Sequence, residues 1–152
     1  MSQDDLDGLT AWTLIRAAHR VEQQLTALFA SRGLSPVQFG VLAHLATGVP
    51  LTRAQLAREV LVRPQSVAGV LDGLTARGLV LDQGRRGKGR PNPVTLSPQG
   101  REVLAEVWPA VLAATGPAGL GLSETDGAHL DRILSSIVRP GPAPPDAGTV
   151  RS

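Results

Sequence analysis

The sequence predicts a mainly α fold carrying one small β-hairpin wing. Three observations lead there. Along most of the chain, apolar residues recur at three- and four-residue spacing, the period of a helix with one buried face. These stretches open on Ser, Thr or Pro and close on Gly or Pro, the usual start and stop residues. Residues 79–81 and 93–96 read as a pair of short strands, and a run rich in glycine and arginine joins them.

The first helix is expected over 6–31. Leu14, Ala18, Val21, Leu25 and Leu28 alternate spacings of four and three, the narrow seam of one helix lying along another. Gly33 ends it. Ser35, Pro36 and Gln38 then supply cap, first-turn proline and capping-box glutamine for a second helix, with Phe39, Leu42, Ala43 and Ala46 inward and Gly48 closing it. Pro50-Leu51 reads as a minimal third strand beside the hairpin. Thr52 and Gln55 form a second capping box, followed by apolar Leu56, Ala57 and Val60.

Residues 59–62 match the turn between two crossed helices. The next helix is expected over 63–77, with Pro64 in its first turn, Val67, Val70, Leu71 and Leu74 as a buried stripe, and Gly78 as its stop. Helix, turn, helix and basic hairpin is the layout of a winged helix-turn-helix. Ser97-Pro98 opens a helix to about residue 114 with Val103, Leu104, Val107, Trp108, Val111 and Leu112 apolar, and Pro109 is expected to kink it. Residues 116–121 read as a loop. Ser123 caps a last helix carrying Leu130, Ile133, Leu134, Ile137 and Val138, stopped by Pro140. The tail, 139–152, holds four prolines without apolar periodicity and reads as disordered.

Composition narrows the function. With 152 residues there is enough chain for a real core, and the absence of cysteine removes disulfides, thiolate metal sites and thiol redox sensing. No secretory leader or membrane-spanning stretch is legible, so the cytoplasm is the expected compartment. Net charge is +2, but residues 53–101 hold nine basic residues against three acidic, while the remainder holds six against ten. That asymmetry points to a local anion-binding face, with nucleic acid the leading candidate.

The chain resembles the MarR family of bacterial transcriptional regulators. The matching residues are Leu56-Ala57-Arg58-Glu59, Ser66-Val67, Leu71-Asp72 with Leu74, Ala76-Arg77-Gly78-Leu79-Val80, and Val94-Thr95-Leu96-Ser97-Pro98-Gln99-Gly100. The resemblance implies a winged helix-turn-helix lobe over 35–97, flanked by dimerisation helices over 1–34 and 98–138. It also implies a homodimer whose terminal helices intertwine. The residues alone show only surplus apolar helix faces, which a monomer could also cover internally.

Double-stranded DNA is the expected partner. On the outward face of the 63–77 helix, Gln65 suits adenine, Arg63 guanine or phosphate, and Ala68 a thymine methyl, with Ser66 a versatile donor. Thr52, Pro64, Gly69 and Arg77 complete the expected contact set on the two helices. Gly69 and Gly73 each weaken the helix by roughly 1 kcal/mol against alanine, through drift or to admit close approach of backbone to DNA. Relatives commonly cap this helix with serine where Arg63 stands. The wing contributes Arg85, Arg86, Lys88 and Arg90, suited to phosphates or to a narrow minor groove. The resemblance further implies a repressor of a pseudo-palindromic operator, released by a small aromatic or phenolic effector, with a ligand-free repressor governed by its own abundance as the alternative. Trp12, Arg16, His19, His44 and Trp108 are the residues able to line an effector pocket, although each also serves as an ordinary core or surface residue. The alternative is a non-sequence-specific, chromatin-like nucleic-acid-binding protein using the basic wing.

An enzyme is not expected. Gly84 and Gly89 have phosphate-loop spacing, but Arg90 and Pro91 follow where lysine and serine or threonine are needed. His19, His44 and His129 lie far apart, so no metal is expected, nor any cofactor, and nothing assembles a nucleophile with its base.

Overall fold

In the computed structural model, which describes residues 8–82 and 94–139, the chain order is α1 (Thr10–Ala30), α2 (Pro36–Ala46), α3 (Arg53–Glu59), α4 (Pro64–Ala76), β1 (Val80–Asp82), β2 (Val94–Leu96), α5 (Pro98–Thr115), a 3₁₀ turn (Ala118–Leu120) and α6 (Glu124–Val138). Contacts divide it into two units, residues 1–112 and 113–152. The expected boundaries at 34, 97 and 138 instead follow the elements.

Local chemistry sets most helix starts. Ser35 Oγ accepts from Gln38 N at 3.1 Å while Gln38 Oε1 accepts from Ser35 N at 3.0 Å, and Thr52 and Gln55 repeat the exchange at 3.1 and 2.8 Å. Each box satisfies two of the N–H groups that a helix start leaves without partners. Ser123 likewise accepts from Asp126 N. α1 begins without such help: Leu9 occupies its cap position and makes no side-chain bond. The start expected at residue 6 lies outside the described residues, and Gly8 and Leu9 precede the helix.

Pro50 and Leu51 do not form the third strand expected there; among the described residues the sheet has two strands. Pro50 has no N–H to give a ladder, and Thr52 is already the cap of α3. β1 and β2 run antiparallel, pairing Val80 with Leu96, Leu81 with Thr95 and Asp82 with Val94. Val80, Val94 and Leu96 are buried, whereas Leu81 and Thr95 face out. The loop expected over 116–121 contains the 3₁₀ turn.

The core of residues 1–112 gathers around Leu56, Ala57, Val67, Leu71 and Leu74 from α3 and α4, with Val41 and Leu42 beneath them. Phe29 is wholly buried and stacks on Phe39 with ring centroids 4.6 Å apart, and Phe39 stacks on Trp108 at 6.1 Å. This file of rings joins α1, α2 and α5, each pair adding about 0.5–1.5 kcal/mol beyond its buried area. The seam expected on α1 is only half-covered: Leu14, Val21, Leu25 and Leu28 are intermediate and Ala18 is exposed.

Two side chains close the lobe. Ser97, 3% exposed, donates from Oγ to the Gly78 carbonyl at 2.7 Å and accepts from Gly100 N at 2.9 Å. Gly78 adopts φ 70° at the end of α4, where glycine carries no steric penalty. Gly100 lies against β1's approach: a Cβ there would stand 2.1 Å from the Leu79 carbonyl oxygen. Arg77 reaches 45 residues back, donating to the carbonyls of Gly33 and Arg32 at 2.7 and 2.9 Å, in the turn that follows α1.

Replacing Ser97 by alanine strands the buried Gly100 N–H and removes the half-buried bond to the Gly78 carbonyl, and is expected to lower unfolding free energy by about 1–3 kcal/mol in urea titration. Arg77→Met is expected to lower the thermal midpoint by roughly 2–4 °C, the response of a chain this size to a loss near 1 kcal/mol. Scanning calorimetry checks it, and an unchanged midpoint would show the Arg77 bonds contribute nothing in solution.

Candidate nucleic-acid interface and adjoining cleft

α3 and α4 pack on each other through Leu56, Ala57, Val67 and Leu71, so the opposite face of α4 is held rigidly outward. On it Arg63, Pro64, Gln65, Ser66, Gly69 and Asp72 are exposed, and Ala68 is half-buried. Arg63 occupies the cap position with extended backbone (φ −69°, ψ 145°) and makes no capping bond with its side chain. Its guanidinium is therefore not committed to the helix it precedes. Pro64 follows at the first position, where its missing N–H costs nothing.

A Cβ built on Gly69 or Gly73 meets nothing within 4 Å. Neither glycine is required by packing within the chain. Thr52 spends an acceptor lone pair on Gln55 N, which leaves its hydroxyl proton to donate elsewhere. Arg77 is placed differently from the other expected contacts: it lies at the far end of α4 from Arg63, with its guanidinium on the α1 terminus. Arg85, Arg86, Lys88 and Arg90 lie outside the described residues.

The first unit also holds a cleft of about 590 Å³, within the range of small-molecule sites. Ala43 and Thr47 of α2, Leu96 of β2, and Arg101, Leu104 and Trp108 of α5 line it. Arg101 is the charged residue among its described lining. Thr47 is engaged locally, donating to the His44 carbonyl at 2.7 Å and accepting from Val49 N at 3.2 Å. Pro109, also on the wall, deprives the Ala105 carbonyl of the N–H four residues on.

Of the five expected pocket residues, the structure brings only Trp108 to this cleft. His44 instead ties α2 to α3, with Nδ1 2.8 Å from the Gly40 carbonyl and Nε2 3.5 Å from a Glu59 carboxylate oxygen. His19 stays on α1, 3.1 Å from Gln23 Nε2 and 3.8 Å from Glu22. Trp12 and Arg16 lie exposed on the same helix. Arg101, Thr47 and Leu96 were not anticipated. Arg101 carried one signal, a cation in the first turn of a helix next to the hairpin, but nothing in sequence places it opposite α2.

Among the described residues no group of three or more His, Asp or Glu could hold a metal ion, and no helix is long and apolar enough to cross a membrane.

Comparison with known proteins places these features. A family model for the MarR family matches residues 32–90. The transcriptional repressor Rv2887 of Mycobacterium tuberculosis is 27% identical over 131 residues, 86% of this chain and 94% of that one. Its crystal structure with salicylic acid superposes with a TM-score of 0.68 at 26% identity, covering 86% of this chain and 96% of that one. The repressor CouR of Rhodococcus jostii, bound to a 23-mer DNA duplex, superposes with a TM-score of 0.77 at 25% identity, covering 91% and 99%. Helix order, capped helix-turn-helix, two-stranded wing base and these likenesses agree: residues 32–90 match the MarR family, and the chain has the fold of MarR-family winged helix-turn-helix proteins.

Proposed function

We propose that this chain is a sequence-specific transcriptional regulator, a homodimeric repressor that reads duplex DNA with α4 and the wing and acts on cytoplasmic, nucleoid DNA. One observation carries the reading: a rigidly backed helix presents Arg63, Gln65 and Ser66 outward at its N-terminal end. Its supports are the likeness to a repressor solved on DNA and to one named as a transcriptional repressor. Arg63 and Gln65 contact base edges or phosphates, Ser66 and Ala68 adjust the fit, and Thr52 donates to a phosphate from the start of α3. Pro64 and Gly69 set how closely the helix approaches. Arg85, Arg86, Lys88 and Arg90 bring the wing to the backbone or minor groove. Arg77 supports α4 from behind.

The dimer is supported by apolar surface left uncovered. Leu9, Trp12 and Ile15 of the α1 region are exposed, and so, on their own unit, are Ile133, Ile137 and Val138 of α6. The second copy covers these faces, giving terminal dimerisation helices around a DNA-binding lobe. The tail beyond them belongs to neither.

The effector is an aromatic carboxylic acid. Its support is an apolar cleft with one cation, together with the likeness to a repressor solved with salicylic acid. The ring lies against Trp108 and the carboxylate pairs with Arg101. Trp12, Arg16, His19 and His44 contribute only where the second copy closes over them. The effector releases DNA because it binds better to a dimer geometry that misfits two successive grooves.

Selection from a random duplex library tests the DNA reading. The expected outcome is an inverted repeat with half-sites about 10 base pairs apart; binders sharing no sequence would favour the chromatin-like alternative. Gln65→Ala is then expected to cost about 1–3 kcal/mol and relax preference at one base pair. In a Trp12→Phe background, salicylate is expected to change Trp108 fluorescence, and Arg101→Gln to weaken that titration at least tenfold. An unaltered titration would remove Arg101 from the effector site.

A further inference from the structure

Among the described residues, five backbones have positive φ, and four of them are glycines: Gly33, Gly48, Gly78 and Gly121. The fifth is Leu61, at φ 58°. It occupies the turn between α3 and α4. Leu61 N donates to the Arg58 carbonyl at 3.2 Å and Val62 N to the Ala57 carbonyl at 2.9 Å. This bond pair is a Schellman closure, whose left-handed position glycine fills without steric penalty and a bulky side chain only with strain. The core does not compensate, because Leu61 is 91% exposed. Local backbone and internal packing both favour glycine here, so the isobutyl group has a use outside the chain.

We propose that Leu61 is an apolar DNA contact, resting on a deoxyribose at the edge of the major groove between phosphates paired with Arg58 and Arg63; this rests on the DNA reading above. The surroundings select DNA as the occupant. Arg58 and Arg63 flank the leucine in sequence and both are exposed, which suits an anionic polymer and opposes burial against an apolar protein face. Arg63 is also the cap residue of the reading helix, so this turn enters wherever α4 enters. A leucine wedged against sugar carbons fixes the depth and tilt of α4 without reading sequence. It thereby substitutes for the side chains that Gly69 and Gly73 do not supply. Arg58, absent from the sequence-derived contact set, joins it as a phosphate-binding residue.

The test compares Leu61→Asn, Leu61→Gly and Leu61→Met on the selected operator and on a scrambled duplex, across a salt series. Asparagine and glycine both accept the left-handed backbone, so these variants fold, with thermal midpoints equal to or above wild type. Their affinity is expected to fall roughly 5–10-fold, the scale of one or two buried methylenes, on operator and scrambled duplex alike. The slope of affinity against salt stays unchanged, since no phosphate contact is lost. Leu61→Met keeps wild-type affinity. Wild-type affinity in the asparagine and glycine variants would overturn the proposal, as would a loss confined to the operator, which signals base reading. Intact DNA binding with altered self-association in sedimentation would also overturn it and assign the leucine to a contact between copies. Failure of the wild-type chain to bind any duplex at low salt sinks the DNA reading itself, an outcome distinct from the others.

Discussion

The lobe depends on one hydroxyl. Ser97 Oγ lies where three elements converge: it caps α5 by accepting from Gly100 N and reaches across to the carbonyl that ends α4. Its own N–H donates to the Leu79 carbonyl at 3.1 Å, so backbone and side chain hold the successive residues Leu79 and Gly78. The Ser97 hydroxyl and the Gly100 N–H are buried, so water cannot replace their bond, and a shift of the hairpin along α4 would break the half-buried one to Gly78. Gly100 makes the closeness possible by having no Cβ to meet Leu79. The position of the wing base relative to α4 is thus set by a junction about the size of one turn, distant from the exposed face of that helix.

That junction adjoins the cleft. Leu96 lines the cleft and is also the β2 partner of Val80, one residue before Ser97. A molecule filling the cleft presses on the residue whose neighbours hold the end of α4. On the opposite wall, Trp108 is the outer ring of the Phe29–Phe39–Trp108 stack that runs back to α1. One small cavity therefore touches a strand that belongs to the reading head and a ring stack that ends on the first helix. Interdigitated cores respond to such insertion by changing between discrete arrangements rather than by stretching.

Much of this architecture was legible in the chain. The capping boxes at Ser35 and Thr52, the prolines at first helical positions and the terminating glycine at Gly78 are written in neighbouring residues, and each appears where local chemistry requires it. The α4 stripe was legible for the same reason, since a helix period of 3.6 residues repeats within a dozen positions. What escaped was set by distance along the chain. Phe29 and Val41 are wholly buried, yet neither belonged to the periodic seams, because their burial follows from how α1, α2 and α5 cross. The cleft escaped likewise: Ala43, Leu96 and Arg101 are unremarkable until folding brings them together. Arg77 resembled its basic neighbours, and only the carbonyls 44 and 45 residues earlier distinguish it.

Gly69 and Gly73 carry an evolutionary consequence. An added Cβ at either meets nothing within 4 Å, and nearly any replacement except proline strengthens the helix, by up to about 1 kcal/mol in the case of alanine. A duplicated copy of this gene could acquire serine, asparagine or arginine at either position without disturbing the core. New operator preferences would then arise without the stability deficit that usually accompanies a change of function.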